Sequence, residues 1–429
     1  GTEPNTLFWY DDIAIGINIC EDIWIEDGPA EEQVKQGASL IININASPYD
    51  IHKSETRKEI VMKKALKLNV PIIYLNMVGG QDELVFDGGS FVVNDLGEII
   101  YQASSFKEEV FHLDIDLKTN KQNDKSPLII RPKTIELKDV ESKASLSKIE
   151  SIYSALKLGL KDYVRKNKFT KVLIGISGGI DSALTAAICV DALGAENVIG
   201  VAMPSKYNSK DSLDDAIKLS DNLGITLKTI EIEKLVDDFR ETLTNSLNED
   251  LGQITDENIQ SRVRGNILMG LSNQTGAMVV STGNKSEMAV GYSTLYGDLA
   301  GGFALIKDLY KTKVYELSNY INSISDVIPK NIITKEPSAE LRPNQFDSDS
   351  LPDYEVLDKI LNLYIEEDSS SEKIIASGVD PDLVFDVLEK VDRNEYKRKQ
   401  VAPGVKLTQK AFGKDRRMPI TNTYIRQKE

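Results

Sequence analysis

The residues best suited to chemistry lie at 177–182, which read Ser-Gly-Gly-Ile-Asp-Ser. The apolar residues 173–176 predict a buried strand before them, and the alanine-rich residues 183–193 predict a helix after them. Glycine lets backbone N–H groups approach a ligand, and a helix N-terminus adds unpaired donors and partial positive charge. Ser177 and Ser182 add hydroxyl donors. The stretch therefore predicts a phosphate site, with a cation such as Mg²⁺ between the phosphate and Asp181.

This stretch has a simpler interpretation, namely a strand-to-helix turn that needs glycine and binds nothing. The full Ser-Gly-Gly-x-Asp-Ser pattern between a strand and a helix favours the phosphate site. It is not a Walker A loop, because it lacks the Gly-Lys-Ser/Thr ending. It resembles the pyrophosphate-binding loop of the ATP pyrophosphatases, which cleave ATP between its α and β phosphates and transfer AMP to an oxygen atom.

Composition sets the broad class of the protein. The chain has 429 residues, of which 41% are hydrophobic and 28% charged, as in a globular protein of two or three domains. Its net charge of -16 argues against general nucleic-acid binding. No apolar run approaches the roughly 20 residues that span a bilayer. Two distant cysteines, Cys20 and Cys189, suit a reducing cytoplasm better than a disulfide framework.

The pattern of elements divides the chain into three segments. We expect residues 1–117 to be the C-terminal part of an α/β domain, residues 118–145 a polar connector and residues 146–429 a second domain. Residues 1–11 predict no element that would start a domain. The first segment predicts the following elements: strands at 13–19, 40–45, 70–76, 90–93 and 98–101, and helices at 29–36 and 54–68. A short strand is predicted in the connector, at 128–131.

The third segment begins with an amphipathic helix at 146–166 and then alternates strands with helices. The predicted strands are 171–176, 198–203, 226–231 and 277–282. The predicted helices are the one that ends at residue 193 and three more at 210–223, 234–247 and 257–274. This rhythm predicts a doubly wound, mostly parallel sheet that binds its ligand at the carboxyl ends of the strands. The Ser-Gly-Gly loop follows one strand, and Thr282 follows another.

Longer motifs give a narrower resemblance. Residues 146–429 are similar to the synthetase domain of the glutamine-dependent NAD synthetases, which has an adenine nucleotide alpha-hydrolase-like fold. The motifs that carry the resemblance are Glu-Asn-Ile-Gln-Ser-Arg at 257–262, Ser-Thr-Gly-Asn-Lys-Ser-Glu at 281–287, Tyr-Gly-Asp-Leu-Ala-Gly-Gly-Phe at 296–303, Lys-Glu-Pro-Ser-Ala-Glu-Leu at 335–341 and Asp-Arg-Asn-Glu-Tyr-Lys-Arg at 392–398. The first segment resembles a nitrilase-like α-β-β-α glutaminase domain, through Ile-Cys-Glu-Asp-Ile-Trp at 19–24 and Ala-Ser-Pro-Tyr at 46–49.

The resemblance implies a ligase that converts deamido-NAD, ATP and ammonia into NAD, AMP and pyrophosphate. It also implies roles for individual residues. The ATP-binding positions are Gly175, Ile176, Ser177, Gly178, Gly179, Ile180, Asp181, Ser182, Thr282, Lys311 and Ser338. The deamido-NAD-binding positions are Asn258, Arg262, Glu287 and Lys397. Asp181 and Glu287 are the implied Mg²⁺ ligands, and Asp181 and Lys311 are the implied catalytic residues. Arg262 and Arg264 point to different faces of one helix, and the resemblance selects Arg262.

Cys20 is the implied nucleophile of the glutaminase half, with Ser47 and Lys53 as glutamine-binding positions. The thiol needs a base nearby, because its ordinary pKa lies above neutrality. The glutamate and lysine that serve this purpose in the family both precede the cysteine. Residues 1–19 contain no lysine and one glutamate, Glu3, in no recognisable motif. We therefore expect an incomplete, truncated glutaminase half in this chain and free ammonia as its nitrogen source.

Two alternatives to this function stay open at this point. One is another ATP pyrophosphatase that amidates or thiolates a purine nucleotide or a tRNA, although the acidic charge weighs against tRNA. The other is a non-catalytic nucleotide-binding remnant. The resemblance also implies a homo-oligomer. We expect a cytoplasmic protein without nucleic-acid or membrane partners.

Overall fold

A computed structural model describes residues 6–117 and 142–421 of the chain. The strand predicted at 128–131 and nearly all of the predicted connector lie outside these residues. The chain forms two compact units. Unit 1 comprises Gly1–Gly80 and Leu84–Ser151, and unit 2 comprises Gln81–Glu83 and Ile152–Glu429. Among the described residues, no helix is long and apolar enough to cross a membrane.

Unit 1 contains a six-stranded sheet with the order β1-β2-β3-β4-β7-β8. Its strands and helices are β1 Leu7–Tyr10, β2 Ile13–Ile19, α1 Pro29–Lys35, β3 Leu40–Asn45, α2 Lys53–Leu68, β4 Ile72–Asn76, β5 Val78–Gln81, β6 Leu84–Asp87, β7 Phe91–Val93 and β8 Ile99–Gln102. Strands β2, β3 and β4 are parallel, with Ile17 beside Ile42 and Ile42 beside Ile73. Strands β5 and β6 form a separate two-stranded sheet.

One expectation for unit 1 is wrong. Residues 1–11 predicted no element, yet β1 pairs with β2 in an antiparallel hairpin. Its sequence Leu-Phe-Trp-Tyr has the aromatic residues that favour a strand. The two residues between the strands include Asp11, whose φ of 46° is the left-handed conformation that tight hairpins need.

Unit 2 contains a five-stranded sheet with the order β11-β10-β9-β12-β13. Every neighbouring pair is parallel, which confirms the predicted doubly wound sheet. Its first part begins with α3 Lys148–Lys166, whose first four residues belong to unit 1. The elements that follow are β9 Val172–Gly175, α4 Ile180–Leu193, β10 Val198–Ala202, α5 Lys210–Leu223, β11 Thr226–Thr229, α6 Glu233–Leu247, α7 Gln253–Thr275, β12 Met278–Ser281, α8 Lys285–Val290 and β13 Phe303–Ala304. Strand β13 has two residues, too few for a pattern to predict.

The C-terminal part of unit 2 is helical. Its helices are α9 Lys311–Ile324, α10 Lys330–Thr334, α11 Tyr354–Leu361, α12 Ser371–Ala376, α13 Pro381–Arg393 and α14 Glu395–Arg398. Many of these helices share one apolar core with α8, to which Leu357, Leu361, Val387 and Leu388 contribute. Because α8 packs into this core, the segment just after β12 has a fixed position beside β9, the neighbour of β12 in the sheet.

Candidate active site

The loop between β9 and α4 can be built only with glycine at its centre. Gly178 has a φ of 81°, in the left-handed region that favours glycine. A Cβ atom there would lie 2.2 Å from the carbonyl oxygen of Ser212 in α5. Both the backbone conformation and the close approach of α5 therefore exclude a side chain. Gly179 precedes the first residue of α4, so the loop leads into the helix N-terminus as predicted.

The two serines of the loop differ in what they contact. The Ser182 side chain donates a hydrogen bond to the Gly179 carbonyl at 2.9 Å and accepts one from the Ser177 N–H at 3.3 Å. Ser182 is only 2% exposed, because it lies on the inner face of α4. Its predicted contact with ATP is therefore not supported by the geometry, and its hydroxyl holds the loop in shape. Ser177, in contrast, is exposed and lines a cavity.

This cavity in unit 2 has a volume of about 620 Å³, which is in the range of small-molecule sites. It lies at the carboxyl ends of β9, β10 and β12. Most of the predicted site residues meet on its wall: Gly175, Ile176, Ser177, Gly178, Gly179, Ile180, Asp181, Asn258, Thr282, Glu287, Lys311, Ser338 and Lys397. Ser182 and Arg262 do not line it. The topology thus brings together residues from five separate motifs and Lys311.

A group of opposite charges lies against the loop. The Lys311 ammonium forms an ion pair with Asp181 and lies 3.6 Å from Glu287. Lys311 is 2% exposed. Burial acts to lower the pKa of Lys311, but the two carboxylates outweigh it, and the net effect is a raised pKa. Burial, followed by repulsion from Asp181, raises the pKa of Glu287. Lys311 therefore reduces, but does not cancel, the repulsion between two neighbouring carboxylates.

The donor set suits the predicted Mg²⁺. The described residues hold no cluster of three or more histidine, cysteine or acidic side chains that could enclose a metal. Mg²⁺, however, is commonly held by one or two carboxylates together with substrate phosphates. Asp181 and Glu287 are two such carboxylates, and they lie next to a glycine loop at a helix N-terminus, where a phosphate could bind. The residues present fit a cation that arrives with a nucleotide.

A second group of predicted residues surrounds the turn after α8. The Lys397 ammonium donates hydrogen bonds to the carbonyl groups of Gly291 at 2.7 Å and Ser293 at 2.8 Å. The Asn258 side chain accepts one from the Thr294 hydroxyl at 2.9 Å. Burial lowers the pKa of Lys397. Lys397 thus contacts the main chain of this turn and Asn258 contacts the side chain of Thr294, and both residues line the cavity.

The two arginines of α7 are placed the opposite way from the sequence prediction, which selected Arg262 for the site. Arg262 is exposed and donates to the Leu295 carbonyl at 3.2 Å, outside the cavity. Arg264 lines the cavity, because its position turns it toward β10. In the part of the chain that the structure describes, its guanidinium contacts only uncharged groups, the Met203 carbonyl at 3.1 Å and the Asn208 side-chain oxygen at 3.2 Å. Burial lowers the pKa of Arg264.

Sequence reasoning therefore missed Arg264 as a cavity residue, and it also missed Lys335. The Lys335 ammonium contacts the Ser212 hydroxyl and lies 3.5 Å from Glu340. Both missed residues lie inside or next to motifs that carried the resemblance. A signal was available for Lys335, because it opens the motif that ends at Leu341. No signal in the sequence favoured Arg264 over Arg262.

Unit 1 holds the predicted glutaminase residues. Cys20 follows the last residue of β2, is half-buried and has a φ of 51°, a strained conformation for a residue with a side chain. Lys53 places its ammonium 4.4 Å from the ring centre of Trp24, at the end of the turn that Cys20 begins. Ser47 is buried, and its hydroxyl accepts a hydrogen bond from Arg57 at 3.1 Å. If Ser47 binds glutamine, its hydroxyl must do so with the hydrogen-bonding capacity that the bond from Arg57 leaves free.

A glycine loop at a helix N-terminus, with carboxylates and a lysine at the ends of parallel strands, defines a nucleotide-binding α/β enzyme. Comparison with known proteins gives the family. Residues 152–401 match the NAD synthase family model and residues 2–123 match the carbon-nitrogen hydrolase model. The chain is 49% identical to a glutamine-dependent NAD(+) synthetase of Thermotoga maritima over 96% of its length and 75% of that protein. The chain is also 46% identical to a glutamine-dependent NAD(+) synthetase of Aquifex aeolicus, over 96% of its length and 76% of that protein.

A solved structure agrees with these relatives. The glutamine-dependent NAD+ synthetase of Acinetobacter baumannii, in complex with adenosine diphosphate, is 43% identical, with a TM-score of 0.70 over 98% of this chain and 75% of that one. This chain belongs to the glutamine-dependent NAD(+) synthetase family. The predicted ligase class and the predicted reaction, ATP-dependent amidation of deamido-NAD to NAD, are thereby confirmed. The alternative acceptors, a purine nucleotide or a tRNA, are set aside.

Proposed function

We propose that the cavity of unit 2 binds ATP with its phosphates at the loop of residues 177–181 and close to Lys311. The observation that carries this proposal is the meeting of that loop with Asp181, Glu287 and Lys311 on one wall. The backbone N–H groups at the start of α4 supply donors for an anion. Thr282 and Ser338 supply hydroxyl groups on the same wall.

The base and ribose of ATP would lie along the apolar part of the same cavity. The side chains there are Val201, Ala202, Leu213, Ala216 and Leu268, at the ends of β10 and on α5 and α7. Arg264 borders this region and holds a positive charge with no carboxylate paired to it in the described structure. Glu340 lies near enough to interact electrostatically with Arg264 but does not pair with it directly. A cation without a directly paired carboxylate favours binding of an anion, here a phosphate of the nucleotide.

The proposed reaction has two steps. The carboxylate oxygen of deamido-NAD attacks the α phosphorus of ATP, the bond to the bridging oxygen breaks, and pyrophosphate leaves. Ammonia then attacks the acyl carbon, loses a proton, and AMP leaves with the bond electrons. Lys311, Lys335 and the loop N–H groups would stabilise the charge that collects on pyrophosphate. Asn258, Arg262, Glu287 and Lys397 remain the proposed contacts of deamido-NAD.

Asp181 and Glu287 would hold Mg²⁺ when ATP is bound. The ion would supply positive charge to the phosphate oxygens of the leaving group. For this to happen, the Lys311 ammonium must release at least one of the two carboxylates that it now pairs with. Lys311 is close enough to the loop for its ammonium to form an ion pair with a phosphate instead.

The nitrogen source proposed for this family differs from our expectation from the sequence. The relatives are named glutamine-dependent, and this favours glutamine over the free ammonia that we expected. In unit 1, the Cys20 thiol would lose its proton and its sulfur would attack the amide carbon of glutamine. The C–N bond would break as the nitrogen takes up a proton, which leaves a thioester and ammonia, and water would then hydrolyse the thioester to glutamate. The Lys53 ammonium lies near the same turn. The predicted homo-oligomer and the cytoplasmic location stay predictions, and so do the domain boundaries at 117 and 145.

The test supplies the chain with ATP, Mg²⁺, deamido-NAD and either ammonium or glutamine, and measures NAD, AMP and pyrophosphate. We expect equal amounts of all three products with ammonium, because one ATP is cleaved for each amide formed. Release of ADP and phosphate would contradict cleavage at the α–β bond. No product from a folded sample with ammonium would contradict the synthetase assignment. The glutamine reaction reports separately on unit 1.

A further inference from the structure

The two proposed metal ligands lie on different elements, and Asn284, like Lys311, contacts both. Asp181 belongs to α4, whereas Glu287 belongs to α8. Asn284, which is 0% exposed, immediately precedes α8. Its side-chain Nδ2 donates a hydrogen bond to Asp181 Oδ1 at 2.9 Å. Its backbone N–H donates to Glu287 Oε2 at 3.3 Å.

The other polar atoms of Asn284 serve the helix. Its Oδ1 accepts a hydrogen bond from the Glu287 N–H at 3.0 Å, which is a helix N-cap. Its carbonyl accepts one from the Met288 N–H at 3.1 Å. Each polar atom of this buried residue thus has at least one partner, as is usual for buried polar groups.

The need for a cap does not by itself explain asparagine at this position. Serine and aspartate cap helices about as well as asparagine. Only asparagine, among these, has a side-chain N–H group beside the oxygen that caps. That N–H group is the one that contacts Asp181. The choice of asparagine therefore follows from the contact between the two elements.

We infer that Asn284 is a positioning residue that holds Asp181 and Glu287 at the separation and orientation that the bound metal needs. It fixes Oδ1 of Asp181, while Oδ2 contacts Lys311 and is the oxygen that becomes available when the lysine moves. This inference rests on the proposed metal site. Residues that orient metal ligands typically change metal affinity or activity by about ten- to a hundredfold when they are replaced.

The test measures Mn²⁺ binding by electron paramagnetic resonance, with α,β-methylene-ATP present so that no turnover occurs. Asn284→Ser keeps a capping oxygen and removes the N–H donor to Asp181. We expect Mn²⁺ to bind this variant about ten- to a hundredfold more weakly than wild type, with a melting temperature close to that of wild type. Equal Mn²⁺ affinity in the variant and the wild type would overturn the inference.

Two further variants keep the result interpretable. Asn284→Gly covers the case in which the serine variant does not fold, because glycine also caps helices well, and it should show the same loss of Mn²⁺ affinity. Asp380→Ala is the matched control, because it removes the N-cap of α13 through its contact with the Leu383 N–H. It should lower the melting temperature and leave Mn²⁺ affinity unchanged. If the wild type binds no Mn²⁺ in the presence of the analogue, the proposed metal site itself is contradicted. This outcome is distinct from equal affinity in the wild type and the variant, which contradicts only the role of Asn284.

Discussion

Each unit buries a cation against carboxylates, but the surroundings of the two groups differ. In unit 1, Arg57 forms a two-point ion pair with Asp87, at 2.7 and 2.9 Å. Both side chains are almost fully buried, at 3% and 5% exposure. The remaining guanidinium nitrogens donate to Ser47 and to the Pro48 carbonyl. The group has no free donor in the described structure, so it fixes a loop.

In unit 2 the corresponding group borders open space. Lys311, Asp181 and Glu287 all line the 620 Å³ cavity. A charged group next to a cavity can exchange its partner for a ligand, whereas an enclosed and saturated group cannot. Enclosed charges such as Arg57 and Asp87 thus serve the fold, whereas the charges that line the cavity are the ones we propose for the reaction. The variants below test this distinction, in order of the expected size of their effects.

The largest expected effect is on turnover. Asp181→Asn should reduce the rate of NAD formation with ammonium by at least about 10²–10³-fold, the loss typical when a group that stabilises transition-state charge is removed. The matched control is Asp191→Asn on the same helix, whose side chain is 46% exposed and pairs with Lys157. The control should keep wild-type turnover. A similar loss in both variants would mean that the effect comes from damage to α4.

A second prediction concerns stability, not turnover. Arg57→Met leaves the Asp87 carboxylate buried without its partner, and breaking a buried pair in this way typically costs about 3–5 kcal/mol. We expect a lower midpoint for chemical denaturation, followed with a probe in unit 1. The control is Lys63→Met on the same helix, since Lys63 is 79% exposed. Equal midpoints for both variants would show that the pair does not stabilise unit 1.

The sequence predicted the parts of this site that depend on local chemistry. The loop around Gly178 was predictable because its conformation requires glycine and its neighbours have clear strand and helix patterns. Strands β2 and β3 have the bounds that their apolar runs predicted. The early strand β1 was missed, because a four-residue strand that depends on a turn and a partner gives a weak pattern.

The remaining site residues depend on which helix face meets the cavity. Ser182 lies in the same motif as Ser177 but points into the protein, and this follows from the rotation of α4. Arg264 and Arg262 are two positions apart on α7, so only one can face β10, and no pattern in the sequence favours Arg264. Asn284 contacts Asp181 across 103 positions of the chain, a contact that only the folded structure brings about.

The choice between the two arginines leads to the third prediction. Arg264→Met should raise the KM for ATP by at least about tenfold, because a hydrogen bond to a charged group contributes about 1.5–3 kcal/mol. Arg262→Met is the matched variant. If the role implied by the sequence resemblance is correct, it should instead raise the KM for deamido-NAD. Steady-state kinetics with each substrate varied in turn distinguishes the two, and an effect of Arg264→Met on deamido-NAD alone would contradict the placement of ATP.

The smallest expected effect returns to the enclosed charges of unit 1. Glu31 and Lys64 form an ion pair of 2.6 Å, with 5% and 7% of their side chains exposed. Burial acts to raise the pKa of Glu31, but the hydrogen bond and the charge of Lys64 outweigh it, so that the net pKa is lowered. A lowered folded-state pKa adds stability above the unfolded pKa of 4.5, and this stability is lost as the pH falls through the folded value.

Glu31→Gln should therefore lower the free energy of unfolding at neutral pH by about 1–3 kcal/mol, the range for hydrogen bonds to charged groups. The difference from wild type should shrink as the pH falls from 4.5 through the lowered folded-state pKa, because the unfolded chain and then the folded wild type take up a proton at Glu31. Glu32→Gln is the control, since Glu32 is 42% exposed and pairs with Lys35 at the surface. Denaturation midpoints from pH 7 to pH 3 give the comparison. A difference that stays constant with pH would mean that packing around residue 31 matters and its charge does not. The distinction between enclosed and cavity-lining charges would then not hold for this pair.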